Sequence, residues 1–187
     1  MERTLECSRL PVFIEQTPDA YVSLPRALDW VWRSSGEVGI MELGFLAGRA
    51  ASLGTLHSDL QRAVIAAPTG LLRIEALSDH VHRENSAVKI DIRREGADRR
   101  VICEVLGFQN SPFVGFAEWK VIAGIIDIVR SAAGPEWRPS EITFISRGRP
   151  SDATLEAYGN TRILTGQACV RYSSRWPTWR GPASTAG

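Results

Sequence analysis

The chain has 187 residues, with 22 Lys and Arg against 21 Asp and Glu, a formal net charge of +1, and 44% hydrophobic residues. That length suits one domain, which buries roughly 70% of its unfolded surface without a staple, and the charge balance argues against a dedicated nucleic-acid surface, which carries a basic excess. Cys7, Cys103 and Cys169 are odd in number and far apart, so they read as reduced thiols of a cytoplasmic protein; no signal-like segment opens the chain, and the apolar-rich stretch around 113–129 contains Glu118, Lys120 and Asp127, which argues against a membrane span.

Residues 1–20 mix Pro11 and Pro18 with charges and read as an irregular lead-in. "SLPRALDWVWRSSG" predicts a helix with Ser23 as cap, Pro25 in the first turn and Gly36 as stop. "MELGFLAGRAASLG" predicts a second helix, whose small residues at 44, 47, 48 and 51 allow another backbone to approach closely. "TLHSDLQRAVIAAP" predicts a third, with Thr55 as cap and Leu56, Leu60 and Val64 at fourfold spacing. Pro68, Thr69 and Gly70 break it, and "LLRIEALSDHVHRE" follows as a fourth, with Leu77 and Val81 on one side.

The period then changes from helix to strand. In "AVKIDIRREGADRRVICEVLGF", Val88, Ile90 and Ile92 share one face, and Val101, Cys103 and Val105 share it on the return. "EGAD" between them predicts a β-hairpin turn flanked by Arg93, Arg94, Arg99 and Arg100, which read as a solvated tip. "SPFVGFAEWKVIAGIIDIVRSAAG" is the strongest helix, capped by Ser111, with Pro112 at its start and Gly134 at its end. It is apolar around most of its circumference, which predicts a central helix buried against the sheet. "EITFISR" and "QACVRYSS" add two short strands. Between helix and sheet lies "GPEWRP": Gly134 and Pro135 end the helix, Pro139 forces an extended backbone, and Trp137 plugs the seam. The expected fold is α+β: a helical N-terminal half, then an antiparallel sheet of about four strands packed on a long central helix.

Most candidate chemistry dissolves on inspection. His80 and His82 stand two apart, and on a helix such positions point in different directions, whereas helical metal ligands need spacings of three or four. His57, Ser58 and Asp59 are sequence neighbours on one turn and make no relay. No Walker loop or GxGxxG occurs. One feature survives. At 100° per residue, Glu118 lies on the line of Ile122, Ile125 and Val129, the apolar face of the central helix, while Lys120, Asp127 and Ser131 line the opposite side. A carboxylate there must be paired, protonated or reaching into a cavity. A structural pair with an arginine and a polar anchor in a ligand pocket both satisfy that demand. In the second case Trp119, Phe116, Phe113, Phe45 and Tyr172 are candidate walls of an apolar pocket.

Two stretches carry a family resemblance. "LGTLHSDLQRAVIAAPTGLLRIEALSDH" resembles the helix–SPT–helix segment, and "GPEWRPSEITFISRGRP" the Gly-Pro-acid-Trp-x-Pro signature, of the N-terminal "arabinose-binding"-type sensing domain of AraC-type transcriptional regulators. "LTGQACVRYSS" is a looser match to its terminal strand, and the resemblance covers about residues 20–173. It implies an effector-binding domain over 21–175, a tail over 176–187, a partly apolar small-molecule ligand and a homodimer, for which the 44–51 face is one close-packing surface. DNA contacts then belong to helix-turn-helix motifs that this chain does not contain, so neither direct nucleic-acid contact nor membrane contact is expected. The departure leaves two options open: a sensor domain apart from its DNA-binding part, or a standalone protein that kept the fold. The plan also resembles vinyl-reductase-type domains and haem nitric-oxide sensors. The latter use Tyr-x-Ser-x-Arg, but here "YSSR" places Arg175 one position early and no histidine follows His82, so no haem or other cofactor is expected. The alternatives are a standalone enzyme with Glu118 as general acid or base, and a scaffold module whose groove holds a partner.

Overall fold

The computed structural model describes residues 2–17, 20–36, 38–50, 52–96, 98–107 and 110–174. The helical half contains α1 (Glu2–Cys7), α2 (Leu24–Ser34), α3 (Ile40–Ala50), α4 (Ser58–Ala66) and α5 (Gly70–Glu84). Strands β1 (Val88–Glu95) and β2 (Asp98–Val105) follow, then the long α6 (Val114–Ala133). The chain continues through β3 (Glu141–Thr143), α7 (Asp152–Tyr158), β4 (Arg162–Leu164) and β5 (Val170–Ser174). The fold is α+β.

The alternation over 88–105 becomes a hairpin, as expected, in which Val88 pairs with Val105, Ile90 with Cys103 and Ile92 with Val101. All six lie on one face, and Gly96 takes the turn at φ 61. The sheet order is β1-β2-β5-β3-β4, antiparallel except for β3 and β4, which run parallel with α7 between them in sequence. That makes five strands rather than about four. Strand β4 is only three residues long, too short to show a period.

Several local readings shift. Residues 1–20 are not irregular throughout: they include α1, which packs on α2, and a 3-10 turn over Val12–Gln16, and both Leu5 and Leu10 are buried. Thr55 does not cap α4. It closes a separate 3-10 turn with Ser52, accepting from the Ser52 N–H at 3.3 Å, and the next residue but one, His57, caps α4 through Nδ1. The carboxylate of Asp127 on α6 accepts from the Leu53 N–H at 2.7 Å, which pins that turn and delays the helix. Ser23 precedes α2 in an extended conformation but makes no side-chain cap bond, and Ser111 bonds the Phe113 N–H while α6 itself begins at Val114.

"GPEWRP" is punctuation in the structure. Gly134 leaves α6 at φ 95, Pro139 is buried, and Trp137 packs half-buried against the main core. Arg130 Nε holds the Trp137 carbonyl at 2.9 Å. Helix α6 contributes Trp119, Ile122, Ile125, Ile126, Ile128 and Val129 to that core, opposite Val88, Ile90 and Val101 of the hairpin.

The small residues of α3 meet α6 of the same chain. A Cβ on Gly44 would stand 2.6 Å from the Phe116 Cα, and one on Gly48 2.8 Å from the Ala123 Cβ. Gly44 and Gly48 of the face expected to receive a second copy are therefore already covered within the chain, and Ala51 lies outside the described residues.

Candidate functional site

Glu118 sits in the second turn of α6, on the apolar line where the periodicity puts it, and is 0% exposed. Its partner is not an arginine. One carboxylate oxygen accepts from the Ile145 N–H at 2.6 Å and the other from the Ser146 N–H at 3.2 Å. These two amides belong to the segment after β3, where the chain has left the sheet. The carboxyl is raised from 4.5 to about 7, because burial pushes it up by more than the two amide bonds pull it down.

The segment that Glu118 grips is also the wall of a groove. An open cleft of about 670 Å³ lies between the start of α6 (Asn110–Pro112, Val114), the wall Ile145–Arg147, and the turn Gly166–Gln167 before β5. The wall and that turn are tied together: the Gly166 N–H donates to the Ser146 carbonyl and the Gln167 N–H to the Phe144 carbonyl, both at 2.8 Å. Glu118 thus supports the groove from behind without facing it. The lining mixes Pro112, Val114 and Ile145 with the amides of Asn110 and Gln167 and the exposed guanidinium of Arg147.

Behind the wall the packing is tight. Ser146 Oγ donates to Met41 Sδ on α3 at 3.2 Å and accepts from the Gly148 N–H at 3.3 Å. A Cβ on Gly115 would overlap Met41 Sδ, and one on Gly148 would lie 2.7 Å from Met41 Cγ.

The expected pocket walls fall into separate groups. Trp119 (0% exposed) lies in an aromatic cluster with Phe45, Phe144 and Tyr158, at ring distances of 5.6, 4.5 and 5.4 Å. Phe116 and Phe113 belong to a second cluster with Leu28 and Val105, where Trp32 meets Phe113 edge-on at 6.1 Å. Tyr172 pairs with Val101 and Ile142 through its backbone, and its side chain lies outside the described set. None of the four described aromatics, Trp119, Phe116, Phe113 and Phe45, lines the groove. Phe116 instead contributes to a shallow apolar hollow of about 250 Å³ between α2 and α3. The groove residues Asn110, Ile145, Arg147 and Gln167 carry no signal in the sequence beyond their place at element ends.

Among the described residues no group of three or more His, Cys, Asp or Glu side chains could hold a metal ion, and no helix is long and apolar enough to cross a membrane. Buried Cys103 is pushed up to about 12 by desolvation, which keeps it an unreactive thiol.

No protein-family model matches the chain, and no curated relative does. Among solved structures it is similar to the transcriptional regulator CdpR from Pseudomonas aeruginosa, with a TM-score of 0.64 at 13% identity, over 92% of this chain and 52% of that one. At that identity the likeness is one of fold, and this chain spans about half the length of that regulator: its α+β architecture is one that also forms part of a transcriptional regulator.

Proposed function

We propose that this chain is an effector-sensing domain of the AraC-regulator kind and that its groove takes a small, partly apolar molecule. The observation that carries the reading is the groove whose wall, Ile145–Arg147, is held by the buried carboxylate of Glu118. Concave sites with apolar walls and a few convergent polar groups are where small molecules bind. The fold shared with a transcriptional regulator and the GPEWRP resemblance support the regulatory role. In this reading Pro112, Val114 and Ile145 cover the apolar part of the ligand, and Arg147 and Gln167 address its polar end. Binding shifts an equilibrium between two arrangements of the wall, which requires different affinity for each. DNA contact belongs to another part of such a regulator, and a homodimer has to form without Gly44 and Gly48, which α6 already covers.

Glu118 is poorly placed as a general acid or base. Such a group needs hydrogen-bond reach to a substrate proton, and both of its oxygens are turned to the backbone inside the protein.

Native mass spectrometry of freshly purified protein tests the reading. A co-purifying molecule should be held by the parent and lost from Arg147→Glu, an exposed change that leaves stability within about 0.5 kcal/mol. A ligand retained equally by the variant would move the site elsewhere. A protein that binds nothing, in this assay and in thermal-shift screening alike, would sink the sensing role.

A further inference from the structure

We propose that Glu118 is a proton-operated latch on the groove wall: ionised, it holds the amides of Ile145 and Ser146 together, and protonated, it keeps Ile145 and releases Ser146. The chemistry follows from the donor count. A carboxylate is acceptor-only and serves two N–H donors at once. A carboxylic acid turns one of its oxygens into an O–H donor, which cannot serve an N–H in the same way. The bond to Ile145 is 2.6 Å and the bond to Ser146 is 3.2 Å, so Ser146 is the weaker hold and the one released.

Release has somewhere to go. Ser146 lines the groove on one side, and its Oγ touches Met41 Sδ on the other. Met41 is confined by Gly115 of α6 and Gly148 of the loop, neither of which leaves room for a Cβ. A shift of Ser146 is therefore passed to Met41 and to α3, whose backbone lies directly on α6 at Gly44. The latch connects the groove wall to the packing of two helices.

The surroundings leave the proton equilibrium to burial and the two amides. On α3, Glu42 is engaged by Ser151 and Thr154, and Arg49 lies over the Phe45 ring. On α5, Arg73 reaches Ser131 near the far end of α6. From β2 the inward titratable group is Cys103, a neutral thiol, and on α7 Tyr158 is held neutral by burial. Arg147 and Lys120 are exposed. None of these groups contributes to the upward shift of Glu118, which places its titration near neutrality. The inference uses the sensing role only in taking the groove as the place where the motion matters, and its geometry needs no ligand.

The test is a proton–nitrogen NMR titration of the ligand-free chain from about pH 5.5 to 8.5, following the Ile145 and Ser146 amides and the Glu118 side-chain carboxyl carbon. The expected result is one shared midpoint at about 7 for all three signals, with the larger excursion at Ser146. The amide titration should vanish in Glu118→Gln. Amides that stay flat, or that titrate identically in the variant, would overturn the latch. If the variant does not fold, the parent decides alone: a carboxyl carbon whose midpoint differs from that of the amides, or lies outside the range, overturns it. A failed ligand screen leaves this result untouched, and a flat titration leaves the sensing role standing.

Discussion

The two ends of α6 are held by opposite means. Its C-terminal half buries Ile125, Ile126, Ile128 and Val129 among the side chains of the sheet, an interface of many interchangeable aliphatic contacts. Its N-terminal half meets α3 backbone to backbone at Gly44, encloses Met41 beside Gly115, and spends a buried carboxylate on two amides of a loop. Aliphatic packing spreads its cost, so one lost methylene is felt but survived. Close backbone approach has no slack, and a buried carboxylate answers to pH. The end with no slack is also the end that borders the groove.

The sharpest way to break this contrast is Gly44→Val. The new side chain would meet the Phe116 Cα and the carbonyls of Gly115 and Phe116, all backbone, so nothing nearby can rotate away. Overpacking usually costs 1–3 kcal/mol, and this site belongs beyond that range, at more than about 3 kcal/mol. For a chain of this length that lowers the melting temperature by roughly 10 °C. A melting curve within two degrees of the parent would show that α3 and α6 are not in contact there.

The second effect is a pH dependence. In the folded chain Glu118 keeps its proton up to about pH 7, whereas in the unfolded chain it gives it up near 4.5. Between those values the folded state binds more protons, so stability falls as pH rises. The contribution is complete below about 4.5 and gone above about 7, and it is on the order of 3 kcal/mol at most. Denaturant unfolding at several pH values should show this decline in the parent and its absence in Glu118→Gln. Parallel curves for the two proteins would remove the burial argument.

What the sequence disclosed follows the same division. The hairpin was legible because Val88, Ile90 and Ile92 and then Val101, Cys103 and Val105 recur at every second position, and α6 because its apolar residues run nearly all round. Glu118 was legible as a charge on an apolar line. Its partners were not, because they are backbone amides, which every residue type carries. The small residues of α3 marked a close approach, yet the pattern is the same whether the partner is another copy or the chain's own α6. The groove draws on three segments far apart in sequence, and α7 and β4 are too short for a period to stand out.

On the aliphatic side the expected effects are smaller. Ile126→Val removes one buried methylene from a residue that is 1% exposed and should cost about 1 kcal/mol. The Ile145 and Ser146 amide signals should not move. A change at those amides would mean that the two ends of α6 are coupled through the helix, and would weaken the contrast drawn above.

The smallest effect has the opposite sign. Gly124 lies inside α6, and a Cβ built on it meets nothing within 4 Å. Its backbone is not among the positive-φ glycines, so alanine adopts the same conformation without strain. Glycine in a helix interior costs roughly 0.5–1 kcal/mol relative to alanine, chiefly because the unfolded chain has more freedom to lose. Gly124→Ala should therefore raise stability by about that amount, where Gly44→Ala, in a helix of the same kind, should lower it. The two substitutions share chemistry, helical setting and unfolded-state effect, and differ only in what stands opposite. Chemical denaturation of the pair reads that difference directly. If both stabilise, the backbone contact at Gly44 is looser than the geometry requires. If both destabilise, helix propensity is not the term that governs α6, and packing density along its whole length has to be reconsidered.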